Sequence, residues 1–128
     1  MIQWFSKNEK KATATIYATN ITINKIGMQM ISEAYAVMLG LDYDDSKIAI
    51  QPITKDQYDA KEFPEDNMFV LSGGKTYTRI SSTDFVTNVS SFLHYDFKNG
   101  AKKFVCFYDQ HESLLIIDLK KEVTGNVG

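Results

Sequence analysis

Apolar residues in this chain fall in short runs divided by polar turns, and the phase within each run predicts its element. Thr13-Ala14-Thr15-Ile16-Tyr17 is rich in β-formers and predicts a strand. Ile21-Thr22-Ile23 alternates apolar with polar, the pattern of a strand with one face buried. Ile26, Met30 and Ile31 follow at helical spacing and predict one to two turns of helix, against which Gly27 works. Tyr35–Leu41, Phe104–Tyr108 and Leu114–Ile117 are apolar at nearly every position, which predicts strands covered on both faces, by another part of the chain or by a second molecule. Ser72-Gly73-Gly74-Lys75 after Met68-Phe69-Val70-Leu71 is a hairpin signal. Ser82 before Thr83-Asp84-Phe85-Val86 predicts a capped helix start, with Phe85, Val89 and Phe92–Leu93 as its apolar stripe. Lys98-Asn99-Gly100 reads as a tight turn. The Lys7–Lys11 stretch reads as a solvated arm, a turn of helix is expected near Thr54–Tyr58, and Val123–Gly128 reads as a frayed tail.

Two of these passages echo each other. Tyr35 to Ile50 lies on Lys102 to Ile117 without a gap, each reading as apolar strand, acidic turn and second apolar strand. The lead-ins match too: Ile21-Thr22-Ile23-Asn24-Lys25 in one, Thr78-Arg79-Ile80-Ser81-Ser82 in the other. A repeated strand, short helix and hairpin argues for a duplicated unit that buries one copy against the other. The expected organisation is a single domain over 1–128, with pseudo-repeats 13–53 and 75–119 joined by a linker 54–74. Its class is mainly β with short helices (α+β).

Composition narrows function more than fold. At 128 residues the chain has room for one core. A formal charge of −2 gives no global pull toward nucleic acid or anionic membrane. Arg79 is the only arginine, a poor endowment for bidentate base readout, although lysines can still hold a phosphate backbone. The single Cys106 excludes a disulfide framework and sits among Phe104, Val105 and Phe107 as a small hydrophobe. Met1-Ile2-Gln3-Trp4-Phe5 is too short an apolar run for a signal peptide, and no window approaches the roughly 20 residues of a membrane span. A cytoplasmic protein without membrane association is expected.

Candidate chemistry is sparse. Asp42, Asp44 and Asp45, with Asp56 and Asp59 downstream, form the one carboxylate cluster, but the mid-loop Gly and terminal Glu of a calcium loop are missing. His94 and His111 have no partner at zinc-ligand spacing. Ser72-Gly73-Gly74-Lys75-Thr76 superficially resembles a phosphate loop but lacks its full spacing, and a hairpin explains it better. Tyr17, Tyr35, Tyr43, Tyr77 and Tyr108 lie in strands or at their ends, and Tyr77 alone stands beside basic residues, Lys75 and Arg79. No catalytic group and no cofactor is expected.

The order of strand, Ile21-Thr22-Ile23-Asn24-Lys25, short helix, strand, acidic turn and the closing run Ile48-Ala49-Ile50-Gln51-Pro52-Ile53 resembles the AbrB/MazE family of swapped-hairpin DNA-binding domains. Members of that family usually dimerise, two hairpins interleaving into one small barrel. The resemblance implies that a chain with two copies builds the barrel alone, about a pseudo-twofold axis. It departs from the family at Asn20, where an Arg is common, and at Asn24, where a Pro is common. The function implied is a transcriptional regulator contacting duplex DNA through its backbone, with Lys25, Arg79 and Lys75 as inherited contacts. The other reading is a non-catalytic protein-interaction module, antitoxin-like or a phage-type accessory protein, bound to a protein partner or to itself.

Overall fold

The computed structural model describes residues 1–2 and 11–124. Residues 7–10 of the solvated arm expected over Lys7–Lys11, and residues 125–128 of the expected tail, lie outside them. Nine strands form in chain order: β1 Thr13–Ile16, β2 Asn20–Asn24, β3 Ala36–Asp42, β4 Lys47–Ile53, β5 Phe69–Val70, β6 Ser72–Gly73, β7 Tyr77–Ser81, β8 Lys102–Asp109 and β9 Leu114–Glu122. The α-helices are α1 Lys25–Met30, α2 Lys55–Asp59 and α3 Thr83–Leu93. All strands join one antiparallel sheet in the order β5-β3-β4-β9-β8-β1-β2-β7-β6. Its two end strands are separated in the chain only by Leu71, so the sheet curls into a nearly closed barrel. Leu71 continues the closure by donating its N–H to the Tyr35 carbonyl at 3.0 Å.

The long hairpins do not stay with the strands that precede them. β3–β4 is hydrogen-bonded to β5 on one side and β9 on the other, whereas β8–β9 is bonded to β1 and β4. Each hairpin therefore completes the sheet beside strands from the opposite end of the chain. Two seams result. In one, Thr22 pairs with Arg79, flanked by Ile21–Ile80 and Ile23–Thr78. In the other, Ala49 pairs with Ile116, flanked by Ile48–Ile117 and Ile50–Leu115.

The interior is aliphatic. Ile16, Ile21, Ile23, Ile48, Ile50, Ile53, Ile80, Leu115 and Ile117 are fully buried, and strict alternation in β1, β2 and β7 sends each intervening side chain outward. β-branched residues suit such strands because their stiff side chains pack on a pleated surface. Helix α1 lies so close to the barrel that a Cβ on Gly27 would stand 2.5 Å from Ile23 Cγ2. Helix α3 starts where the Ser82 hydroxyl accepts the Phe85 N–H at 3.1 Å. Of the expected stripe Val89 is buried, but its buried companion is Val86, and Phe85, Phe92 and Leu93 are only partly covered. The slimmer valines fit beneath the helix, and Phe92 reaches sideways to pack edge-on against Tyr43 at 5.4 Å.

Two expectations are corrected. Double-sided cover holds for β9, buried from Leu115 to Leu119, but β8 alternates and leaves Phe107 39% exposed. A barrel wall has an outside, and among the described residues no second layer covers it there. The expected linker 54–74 also contributes to the sheet through β5 and β6, because Phe69 and Leu71 pack against the core. The rest of that segment holds α2, where Thr54 and Gln57 form a capping box, and a 3₁₀ turn over Glu65–Asn67.

Candidate nucleic-acid interface

The outward positions of β1, β2 and β7 make one polar wall. Thr13 and Thr15 come from β1, Asn20, Thr22 and Asn24 from β2, and Tyr77, Arg79 and Ser81 from β7. Registers set Thr15 beside Thr22 and Thr22 beside Arg79, so these side chains form a row across the sheet. None of these positions carries a carboxylate.

At the centre of the wall is an open concavity of about 520 Å³ lined by Tyr17, Asn20, Thr22, Tyr77 and Arg79. Tyr17 directly follows β1 and donates its backbone N–H to the Asn20 carbonyl at 2.8 Å, which fixes it at the rim. The Arg79 guanidinium stands 5.2 Å from the centre of the Tyr77 ring, a cation–π contact that orients the planar group. The Thr22 hydroxyl donates to Asn20 Oδ1 at 3.1 Å, and Asn20 Nδ2 donates to Thr19 Oγ1 at 3.1 Å. Among the described residues the ion pairs are Lys55–Asp59, Lys102–Glu122 and Lys120–Asp118, and Arg79 belongs to none. Among the described residues no carboxylate neutralises its charge.

The three candidate contacts reach one part of the molecule. Asn24 pairs with Tyr77; Lys25 follows the first and Lys75 precedes the second by two residues, so both lie at that end of the β2–β7 ladder. Both are exposed, whereas Arg79 is half-buried midway along β7. Asn24 itself is committed to structure. Its Oδ1 accepts the Gly27 N–H at 3.0 Å and the Thr13 N–H at 3.1 Å, and its Nδ2 donates to the Lys11 carbonyl at 2.8 Å. The side chain thus caps α1 and ties it to β1. Sequence reasoning missed Tyr17, Asn20 and Thr22 as wall residues. The alternation of Ile21-Thr22-Ile23 was the available signal, but nothing local shows which strands lie beside it.

Negative charge gathers at the hairpin tips. Asp42 Oδ1 accepts the N–H groups of Asp44 and Asp45, both at 3.0 Å, and Asp109 Oδ1 accepts those of His111 at 2.9 Å and Glu112 at 3.2 Å. Each tip then turns through a serine of positive φ, Ser46 at 55° and Ser113 at 57°. Asp42, Asp45, Asp109 and Glu112 line a shared concavity with Lys47. Among the described residues no group of three or more His, Cys, Asp or Glu side chains could hold a metal ion.

The remaining candidates serve the fold. His94 closes α3 as a left-handed C-cap with φ of 54°, and His111 is exposed at its tip. Cys106 is buried, and burial pushes its thiol up to about 12. Ser72 and Gly73 belong to β6, and strand β7, not a helix, follows the turn through Lys75 and Thr76. Among the described residues no helix is long and apolar enough to cross a membrane. No protein-family model matches the chain, and neither the comparison with curated proteins nor that with solved structures finds a similar one.

Proposed function

We propose that the protein is a non-catalytic, cytoplasmic DNA-binding regulator of the AbrB-like kind, folded as a pseudo-dimer within one chain. Pseudo-repeats 13–53 and 75–119 account for the interlocked hairpins. If Ile21 is equivalent to Thr78 and Ile48 to Leu115, a twofold axis must pair Thr22 with Arg79 and Ala49 with Ile116, and those are the central pairs of the two seams. The matching aspartate-capped tips fit the same symmetry.

The observation that carries the DNA reading is the carboxylate-free outer wall of β1, β2 and β7, with Arg79, in no ion pair among the described residues, in its middle row, on a chain whose net charge is −2. The carboxylates of the two tips would repel DNA there. Contacts from Arg79, Lys25 and Lys75 would fall on phosphates, since one arginine supports little base readout. Binding then weakens steeply with salt, because each neutralised phosphate releases a counterion. Fluorescence anisotropy with mixed-sequence duplex at low salt tests this on wild type and on Lys25→Ala combined with Arg79→Ala. The variant should bind more weakly on every sequence, with a salt slope flatter by about one unit per lost contact. Absence of wild-type binding at tens of micromolar protein, or identical curves, rejects the assignment.

A second reading has its own observation. Met38, Leu39, Phe69, Phe85 and Leu114 line a largely apolar concavity of about 530 Å³, which suits a protein-interaction module. Sedimentation velocity compares wild type with Met38→Asp. A self-associating wild type dissociated by the substitution favours this reading, and a monomer at all concentrations removes self-association from it.

A further inference from the structure

We infer that the concavity between Tyr17 and Tyr77 is a seat for unpaired nucleotides, so the wall prefers single-stranded nucleic acid to duplex. The inference rests on the reading of this wall as a nucleic-acid surface and names the form of nucleic acid it takes.

Two tyrosines bracket the site. Tyr17 is hydrogen-bonded opposite Asn20, and Tyr77 pairs with Asn24, so they flank opposite ends of β2. Four residues of strand separate those ends by about 13 Å. Both side chains line the concavity, with Thr22 and Arg79 on the floor between them. Bases along a strand are spaced by about 3.4 Å, so this span takes roughly three of them.

A surface meant for duplex backbone alone has no use for that pair. In a duplex each base is stacked on its neighbours and only its edges are reachable, whereas an unpaired base offers its face. Tyr17 is 44% exposed, so its ring is open to a partner from solution. Base–aromatic stacking supplies the partner and tolerates any base.

The charged groups fit the same occupant. Arg79 is held over Tyr77 by its cation–π contact and lines the same concavity, so its guanidinium is within reach of what enters. A phosphate linking two seated nucleotides is the anion such a placement suits. Lys25 and Lys75, at the Tyr77 end of the ladder, meet the strand as it leaves. Asn20 has already given Oδ1 to Thr22 and Nδ2 to Thr19, so one N–H and one lone pair remain for a base edge. That is too little for strong sequence selection.

Anisotropy titrations with a labelled oligothymidylate of about 12 nucleotides and with a mixed-sequence duplex, at one salt concentration, test the inference. Wild type should bind the single strand more tightly. Tyr17→Ala with Tyr77→Ala should weaken single-strand binding at least about fivefold and duplex binding distinctly less, and Tyr17→Phe with Tyr77→Phe should retain both. Equal or tighter duplex binding by wild type overturns the inference while sparing the DNA reading. Unchanged single-strand binding in the alanine variant does the same. Binding of neither form by wild type defeats the nucleic-acid reading and the inference together. Should the alanine variant fail to fold, the wild-type ratio of the two affinities decides alone.

Discussion

Thr22 and Arg79 are paired directly across the β2–β7 ladder, and the pairs on either side of them, Ile21–Ile80 and Ile23–Thr78, point into the core. One seam thus carries both the binding wall and the barrel interior. A slip of one residue would turn Arg79 inward and Ile80 outward, so burial of the isoleucines is what fixes the position of the arginine.

Adjacent substitutions on β7 should therefore differ sharply. Ile80→Ala removes a fully buried side chain and should cost about 2–5 kcal/mol, while Arg79→Ala should stay within about 0.5 kcal/mol. Urea unfolding midpoints measure both. Similar losses for the two would show that Arg79 is structural.

Gly27→Ala is expected to destabilise, although alanine is the better helix former by about 1 kcal/mol. The added methyl would meet Ile23 Cγ2 at 2.5 Å and Cys106 Sγ at 3.4 Å, and Ile23 is fully buried with no room to yield. Overpacking of this kind costs about 1–3 kcal/mol. A raised melting temperature would mean that α1 shifts freely on the barrel.

Alkaline pH should loosen the protein through Cys106. Burial raises its thiol from 9.0 to about 12, so the folded state holds the proton longer than the unfolded chain. The stabilisation from the neutral thiol is complete below pH 9 and is lost progressively as pH rises toward 12. At about pH 10.5 the thiol alone should account for a loss near 2 kcal/mol. Unfolding at pH 8 and 10.5 should give a larger difference for wild type than for Cys106→Ala, and equal differences would clear the thiol of this role.

Acid should act on Asp118. Burial favours its neutral form, but the Lys120 backbone N–H at 3.0 Å and the Lys120 ammonium at 3.4 Å outweigh that and hold the carboxyl below its usual value. A lowered folded value gives stability that is present above the unfolded value near 3.9 and lost as pH falls through the folded one. Asp118→Asn should be less stable at neutral pH and lose less on acidification below about pH 4. Parallel stability curves for the two proteins would contradict this.

Much of the local structure was legible because its causes lie within a few residues. Alternation in Ile21-Thr22-Ile23 placed Thr22 outside the barrel, Ser82 announced the start of α3, and the aspartates of both tips pointed to turns. The apolar run over Phe104–Tyr108 misled, since composition alone does not distinguish a strand covered twice from one whose outer residues remain half-covered on a barrel wall. Val86 was overlooked in α3 because the choice between it and Phe85 depends on how the helix is rotated against strands remote in sequence.

The candidate site divides in the same way. Residue type and alternation by themselves determined that Thr22, Tyr77 and Arg79 belong to strands, that turns begin at Asp42 and Asp109, and that two passages share one pattern of elements. Only the tertiary structure decided that β2 lies against β7 and that Tyr17 shares a concavity with Tyr77. It alone closed the barrel through Phe69 to Gly73 and left Arg79 in no ion pair among the described residues. Strand phase is set by neighbours along the chain, whereas strand pairing is a competition among distant segments, resolved by which arrangement buries the isoleucines together.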